Sequence, residues 1–166
     1  MSTQTKEAGL SEVARLRGEE RFEEARSRLL ELSARFPDDA EIAYVTASVH
    51  DRMGLEAEAV AFYERSLATT GLSEEDHRGA LLGLGSTYRV LGRYPEAVDT
   101  LRAGVQRHPN DGALRTFLGM ALFNVGDHHG AMSLLLDLLA TTSEDPDVRR
   151  YRRAIEYYAK DLHHTA

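Results

Sequence analysis

Small residues recur along this 166-residue chain at a spacing of 34 positions, which restricts the fold to a tandem repeat. Four pairs have this spacing: Gly85 with Gly119, Gly92 with Gly126, Ala97 with Ala131, and Ala25 with Ala59. Ala59 and Ala97 are 38 positions apart, so the second unit carries four extra residues, which we place in the segment TTGLSEEDH. The spacing predicts one domain, 6–163, with four units, 6–39, 40–77, 78–111 and 112–145, a last segment, 146–163, and a disordered start, 1–5.

Each unit is predicted to form two helices joined by a tight turn. One helix face of the third unit has residues at i, i+3, i+4 and i+7: Leu81, Leu84, Gly85 and Tyr88. A second apolar stripe follows: Ala97, Leu101, Val105 and His108. Gly92 lies between them, where a helix end favours a left-handed residue, and Pro95 falls in the first turn of the next helix. The recurring glycines and alanines are small because helices approach closely there, so the repeated residues predict packing rather than chemistry.

The pattern resembles the tetratricopeptide repeat, and in particular small stand-alone bacterial proteins of that family. The family signature is an aromatic residue, Leu-Gly, Tyr, then Ala, a second aromatic and Pro. The third unit matches it with Leu81, Leu84-Gly85, Tyr88, Ala97, Leu101 and Pro109, leucine replacing both aromatics. The resemblance implies an all-α, right-handed superhelical solenoid of four helix-turn-helix hairpins, closed by a C-terminal capping helix.

The ends of several helices are marked by capping residues. Ser73 is expected to cap a helix together with Asp76, and Asp145 to cap a single last helix that begins at Pro146. Five residues form the apolar face of that last helix: Val148, Tyr151, Ile155, Tyr158 and Leu162. We expect this face to be buried on the fourth unit, so that the helix caps the stack.

Composition excludes several classes of protein. With no cysteine, the chain has no disulfides, no thiolate zinc site and no cysteine nucleophile. No apolar run is long enough for a membrane span or a signal sequence, so a cytoplasmic location is expected. Residues 1–77 carry nine Lys and Arg against seventeen Asp and Glu, whereas residues 78–166 carry eleven against ten. The first half should therefore repel nucleic acid and anionic membranes.

No catalytic or cofactor-binding motif is present, so we expect no enzyme activity, no cofactor, no metal site and no small-molecule substrate. The glycines of the segment GLG lie inside a helical pattern and lack the strand-turn-helix setting of a phosphate loop. The adjacent pairs His128-His129 and His163-His164 cannot share a helix face, which disfavours a metal site. His50 and His128 occupy positions of tyrosines in the third unit and are expected to pack.

The most basic stretch is RRYRR, which begins at Arg149 and ends at Arg153. Its arginines point to different sides of a helix, so a solvated exterior is one interpretation. A contact with an acidic partner and, more remotely, arginine-mediated binding of nucleic acid are the others.

In the tetratricopeptide repeat family, partners lie against the first helix of each hairpin, on the concave face. Carried over to this chain, and shifted by one in the cap helix, the exposed positions of that face include the predicted partner-binding residues: Tyr44, Ser48, Asp51, Arg52, Leu82, Ser86, Arg89, Val90, Thr116, Met120, Phe123, Asn124, Arg149, Arg153 and Tyr157. The clamp of lysines and asparagines with which chaperone-type members hold a C-terminal carboxylate is missing here.

Four of these positions are apolar although packing does not require it: Leu82, Val90, Met120 and Phe123. We therefore predict a non-catalytic protein-interaction module whose last two repeats and cap helix bind a protein segment with an apolar anchor and an acidic residue. The alternatives are that these side chains contact the cap helix, or that a second copy of the chain fills the groove or a terminal repeat, which would make a self-associating scaffold.

Overall fold

A computed structural model describes the backbone of residues 2–164 and the side chains of residues 5–164. These residues form ten helices and no strand, which confirms the all-α class. The helices are α1 (Ser2–Gly18), α2 (Phe22–Arg35), α3 (Ala40–Arg52), α4 (Glu56–Ala68), α5 (Glu74–Val90), α6 (Tyr94–Arg107), α7 (Gly112–Asn124), α8 (His128–Thr142), α9 (Pro146–Arg150) and α10 (Arg152–Lys160).

The chain divides into two compact units, and the boundary lies between Leu91 and Gly92, at the turn inside the predicted third repeat. The first unit holds α1–α5 and the second holds α6–α10. A single domain over 6–163 therefore stays a prediction. The start differs from the expected one, because α1 already begins at Ser2; Met1 lies outside the described residues.

In the first unit, neighbouring helices pack in sequence order, and α3 also contacts α5. A hydrophobic cluster joins α1, α2 and α3: Val13, Leu16, Ala25, Leu29, Leu32, Ile42 and Val49. Buried polar side chains are paired locally, as expected for groups removed from water. Thr46 donates to the carbonyl of Ile42, and the His50 ring contacts the carbonyl of Thr46 at 2.8 Å.

In the second unit, α6 packs on α7, α7 on α8, and α8 on α10. The alanine and glycine positions of the repeat lie at helix contacts. Ala97 and Ala131 are buried, and a Cβ added at Gly119 would lie 3.0 Å from the Leu135 side chain. This confirms that Gly119 is small because α7 and α8 approach closely.

Three turns between consecutive helices contain a glycine in the left-handed region. Gly54, Gly92 and Gly126 have φ of 74°, 75° and 86°. In the first hairpin Glu20 takes this position, with φ of 59°. Glu20 lies 34 positions before Gly54, so the first repeat uses a strained residue where the others use glycine.

Helix caps occur where the sequence predicts them. The Ser73 hydroxyl accepts from the Asp76 amide at 3.0 Å and also donates to its carboxylate at 2.8 Å. Asp145 accepts from the amides of Asp147 and Val148. The four extra residues of the second unit extend the first turn of α5, which has 17 residues where α3 and α7 have 13.

The last segment differs from the single helix predicted over 146–163. Tyr151, with φ −98° and ψ 8°, separates α9 from α10, and α10 ends at Lys160. The expected buried face is also wrong, because Tyr151 and Tyr158 are 59% and 49% exposed. The contact with α8 instead centres on buried Ala159, whose carbonyl accepts a hydrogen bond from Ser133. A small residue lets α10 approach α8 closely, and this turns the tyrosines outward.

Candidate protein-binding surfaces

The predicted partner-binding residues of the first unit lie on α3 and α5. On α3, Tyr44, Ser48 and Asp51 are half-buried and Arg52 is exposed. On α5, Leu82, Ser86 and Arg89 are half-buried, and Val90 is 59% exposed. The Arg89 Nε is buried and has no hydrogen-bond partner among the described residues. The α3 residues Ser48, Asp51 and Arg52 are brought together at a cavity.

That cavity has a volume of about 690 Å³ and is the largest described in the first unit. Besides the three α3 residues, its walls include residues that sequence reasoning missed: Ala14, Arg17, Phe22 and Tyr63. Ala14 and Arg17 lie 34 positions before Ser48 and Asp51, so the repeat spacing itself held the signal. Concave positions were predicted from the second unit onward, so these residues of the first unit were not among them.

Asp51 lines this cavity and forms hydrogen bonds with side chains of two other helices. Its two carboxylate oxygens accept from Tyr63 at 3.1 Å and from Thr87 at 2.9 Å. Burial raises the pKa of the Asp51 carboxyl above its ordinary value, and the hydrogen bonds from Thr87 and Tyr63 oppose this shift only in part. Asp51 thereby joins α3 to α4 and α5 through two hydroxyl groups.

In the second unit, the predicted residues on α7 include a large exposed aromatic ring. Phe123 is 60% exposed, and the ring of His128 contacts it at a tilt of 55°, with ring centroids 4.7 Å apart. Thr116, Met120 and Asn124 are half-buried. The alternative that α10 covers Phe123 is not what the structure shows, because more than half of the side chain is open.

The predicted residues of the last segment are all exposed. Arg149, in α9, forms an ion pair with Glu144 at 3.2 Å. Arg153 and Tyr157 lie in α10, and the Tyr157 hydroxyl contacts the His164 ring at 3.3 Å. A second cavity of about 430 Å³ lies where α7, α8 and α10 meet, with Leu118, Leu122 and Leu134 among its apolar walls.

Helix α8 leaves much of its apolar surface uncovered. Its buried residues are Ala131 and Ala140, whereas Met132 and Leu139 are 50% and 45% exposed. These two side chains are seven positions apart and therefore share a helix face. Its single acid, Asp137, pairs with Arg115 of α7, and α8 carries no Lys or Arg.

The histidines have separate surroundings. His50 is buried, its ring contacts that of Phe62 with centroids 5.0 Å apart, and it accepts a hydrogen bond from Arg26 at 3.3 Å, which confirms its packing role. His128 is exposed rather than packed in a core. His129 stacks on His163 at 5.8 Å. Within the described part of the chain, no group of His, Asp or Glu side chains is arranged to hold a metal ion.

Comparison with known proteins places the chain among helical repeat proteins. Residues 40–162 match the family model described as "Tetratrico peptide repeat". No curated protein matches. Among the helices described here, none has both the length and the apolar character to cross a membrane.

Solved structures with a similar fold include three of MamA. MamA from Desulfovibrio magneticus RS-1, from residue 41 to its end, is 19% identical with a TM-score of 0.69, over 95% of this chain and 94% of that one. The RS-1 ArsTM double mutant is 18% identical with a TM-score of 0.70, over 95% of each chain. MamA MSR-1 C2 is 19% identical with a TM-score of 0.63, over 95% of this chain and 96% of that one. At this level of identity the likeness concerns the fold.

Proposed function

The chain belongs to the tetratricopeptide repeat family, and on that premise we propose that it is a non-catalytic module that binds a peptide or protein segment through the first helices of its hairpins. The fold and the family support a protein-interaction or scaffold role in general. Our proposal goes further than this general role, because it names the surface that binds and the chemical kind of segment that is bound. A cytoplasmic location and the lack of enzymatic activity are part of the same proposal.

The observation that carries the proposal is the exposed Phe123 at the end of α7. The neighbouring residues Leu118, Gly119 and Leu122 are buried and account for the packing of this helix. Phe123 is 60% exposed beside them, although complete burial of a side chain of this size stabilises a protein by about 1.5–3 kcal/mol. Large aromatic side chains that are exposed in a free protein are typical anchors of protein interfaces.

The remaining predicted residues support the proposal in each unit by itself. In the second unit, Met120 adds an adaptable apolar side chain, and Arg149, Arg153 and Tyr157 are exposed on the last segment. In the first unit, Val90 is the exposed one among the predicted residues of α5, with Arg89 half-buried beside it. A segment with an apolar anchor and an acidic residue is the partner that these side chains fit.

The experiment is a selection of peptides from a displayed random library on the purified chain, followed by titration of the selected peptides. We expect Phe123→Ala to weaken binding by about 5- to 30-fold, which corresponds to about 1–2 kcal/mol. The thermal midpoint should stay unchanged, because the ring is largely outside the core.

Val125→Ala is the matched control. Val125 is 44% exposed and lies just past the end of α7, outside the predicted partner-binding positions. Selected peptides should bind this variant like the unmodified chain. Equal weakening by both substitutions, or none by Phe123→Ala, contradicts the proposed surface.

Self-association is a second candidate, and the specific observation in its favour is α8. A helix that is apolar on most sides is ordinarily buried, yet Met132 and Leu139 are about half exposed here. A second copy of the chain would cover them. Light scattering at micromolar concentration tests this: the chain should form dimers or larger assemblies, and the double variant Met132→Glu, Leu139→Glu should be a monomer. A monomeric unmodified chain removes this candidate.

Nucleic-acid binding receives less support from the last segment. Arg149 is paired with Glu144 and Arg152 with Glu156, so two of the clustered arginines already face carboxylates. The exposed basic charge left for a phosphate backbone is correspondingly small.

A further inference from the structure

The 690 Å³ cavity of the first unit is separate in its residues from the surface around Phe123. It is walled by α1, α3, the start of α2 and Tyr63 of α4. Its volume is within the range of roughly 300–1,000 Å³ that is usual for ligand-binding clefts. The question is therefore what chemistry its walls offer to a ligand.

Two guanidinium groups in the cavity wall lack an anionic partner. Among the side chains described, neither Arg17 nor Arg52 forms an ion pair, whereas Arg15 of the same helix as Arg17 pairs with Glu19 at 2.7 Å. Burial raises the pKa of Tyr63, and the charge of Arg17 acts in the opposite direction on it. Arg17 and Tyr63 both line the cavity.

The one carboxylate in the cavity wall does not neutralise these arginines. Asp51 accepts hydrogen bonds from the hydroxyls of Tyr63 and Thr87, one at each oxygen. It forms no ion pair with any residue that the structure describes. The guanidinium groups thus remain available to an anion that enters from outside.

Phe22 supplies an apolar wall next to one of these groups. The Arg52 guanidinium lies over the Phe22 ring, 5.8 Å from its centroid. A guanidinium stacked on a ring is held flat and keeps the N–H groups at its edge free for a carboxylate. An anion bound there can place an apolar neighbour against Phe22.

The charge of the unit limits the size of the anion. Residues 1–91 carry eleven Lys and Arg against seventeen Asp and Glu. Long-range repulsion therefore disfavours a polyanion, while two local arginines still attract a single charge. This favours one acidic residue in an otherwise uncharged segment.

We propose that the cavity of the first unit binds the side-chain carboxylate of an acidic residue in a partner segment, with Arg17 and Arg52 as donors and an apolar neighbour of that residue packed on Phe22. The proposal rests on the proposed protein-binding function for its partner. It adds the chemical group that is recognised and a second place on the chain where recognition occurs.

The test uses two acetylated, amidated tetrapeptides, Ala-Phe-Glu-Ala and Ala-Phe-Gln-Ala, titrated into the full chain. The two peptides have nearly the same shape and differ in one charge. Binding is followed through the NMR shifts of the Gly18 and Ser48 amides, which border the cavity. The Glu peptide should bind about tenfold more tightly than the Gln peptide, as expected for hydrogen bonds to a charged group.

The variants Arg17→Gln and Arg52→Gln should each weaken binding of the Glu peptide about fivefold and leave the Gln peptide unaffected. Arg35→Gln is the matched control. Arg35 also lies over a phenylalanine, Phe36, at 5.7 Å, but it is outside this cavity. The Arg35→Gln variant should bind the Glu peptide as tightly as the unmodified chain does.

Equal binding of the two peptides, or equal loss in Arg35→Gln and the cavity variants, overturns the proposal. Free glutarate that binds as tightly as the Glu peptide also overturns it, because the ligand is then a small molecule.

If the arginine variants fail to fold, a salt series on the unmodified chain tests the proposal instead. Affinity for the Glu peptide should fall with salt, and a difference between the peptides that does not depend on salt rejects the ion pair. Phe123→Ala should leave this binding unchanged, so failure of the cavity and failure of the Phe123 surface can be told apart.

Discussion

Helix α3 of the first unit and helix α8 of the second have similar lengths and opposite burial. Seven of the 13 residues of α3 are buried, including the polar Thr46 and His50. Only Ala131 and Ala140 are buried among the 15 residues of α8, although it carries five leucines and a methionine. Apolar composition alone therefore does not set burial in this molecule.

The difference follows from the neighbours of each helix. Within its unit α3 contacts three helices, α2, α4 and α5, whereas α8 contacts α7, the short α10 and, slightly, α9. A repeat helix is covered only when hairpins stack on both sides of it. The first unit thus has a closed core, while the second has uncovered apolar surface that suits association with a partner or another copy.

The largest expected effect compares one substitution on each helix. Ile42, on α3, is fully buried, and Leu139, on α8, is 45% exposed. We expect Ile42→Ala to lower the free energy of unfolding by about 2–5 kcal/mol, because it leaves a cavity in the core. Leu139→Ala should cost less than about 1 kcal/mol. Denaturant titrations followed by circular dichroism measure both, and equal losses would show that α8 is covered in solution.

Removal of the last segment probes how much α9 and α10 contribute to the second unit. Deletion from Asp145 onward removes buried Ala159, half-buried Ile155 and the hydrogen bond from Ser133. We expect a loss of about 2 kcal/mol, on the scale of one well-buried side chain. This is less than burial of Tyr151 and Tyr158 would give, since both are exposed. Deletion of only 161–166 is the control and should cost less than about 0.5 kcal/mol, because the ring contacts of His163 and His164 that it removes are exposed. A chain cut at Asp145 that is as stable as the full one would show that α10 is not a cap.

The sequence predicted the parts of the fold that depend on short-range rules. The repeat spacing placed the turns at Gly92 and Gly126, and the caps at Ser73 and Asp145 follow from side chains that accept backbone N–H groups. These features need only neighbouring residues along the chain. Burial of Tyr151 and Tyr158 was predicted wrongly, because it depends on how closely α10 approaches α8.

Only some of the residues that line the candidate cavity were predicted from the sequence. Ser48, Asp51 and Arg52 were expected on a binding face, and they line it. Arg17 and Phe22 were missed because the first unit keeps few residues of the family signature, namely Ala25, Leu29 and Pro37. The concave positions were therefore not extended to it. Phe123 was expected to be exposed and is, whereas its part in binding stays a prediction.

A smaller effect is expected at the turn of the first hairpin. Glu20 has φ of 59° at the position that Gly126 occupies in the last hairpin. Because glycine adopts this conformation without strain, we expect Glu20→Gly to raise the free energy of unfolding by about 1 kcal/mol. Glu20→Ala is the control, since it removes the carboxylate and keeps the Cβ, and it should bring no such gain. Equal stability of the glycine and alanine variants in thermal unfolding would mean that the turn is unstrained.

The smallest effect concerns the pH dependence of the first unit. Burial raises the pKa of the Asp51 carboxyl above its unfolded value, in spite of the Thr87 and Tyr63 hydroxyls. The folded chain therefore holds this proton more tightly than the unfolded chain does. The resulting stability is fully present below the unfolded pKa of about 3.9 and is lost as pH rises through the folded value.

Asp51→Asn keeps a neutral group at every pH, so it should match the unmodified chain at low pH and exceed it at neutral pH by less than about 1 kcal/mol. Denaturant unfolding at several pH values measures this difference, with exposed Asp38→Asn as the control. A stability difference for Asp51→Asn that does not change with pH would show that the Asp51 carboxylate is stabilised by its two hydroxyl donors as fully as by water.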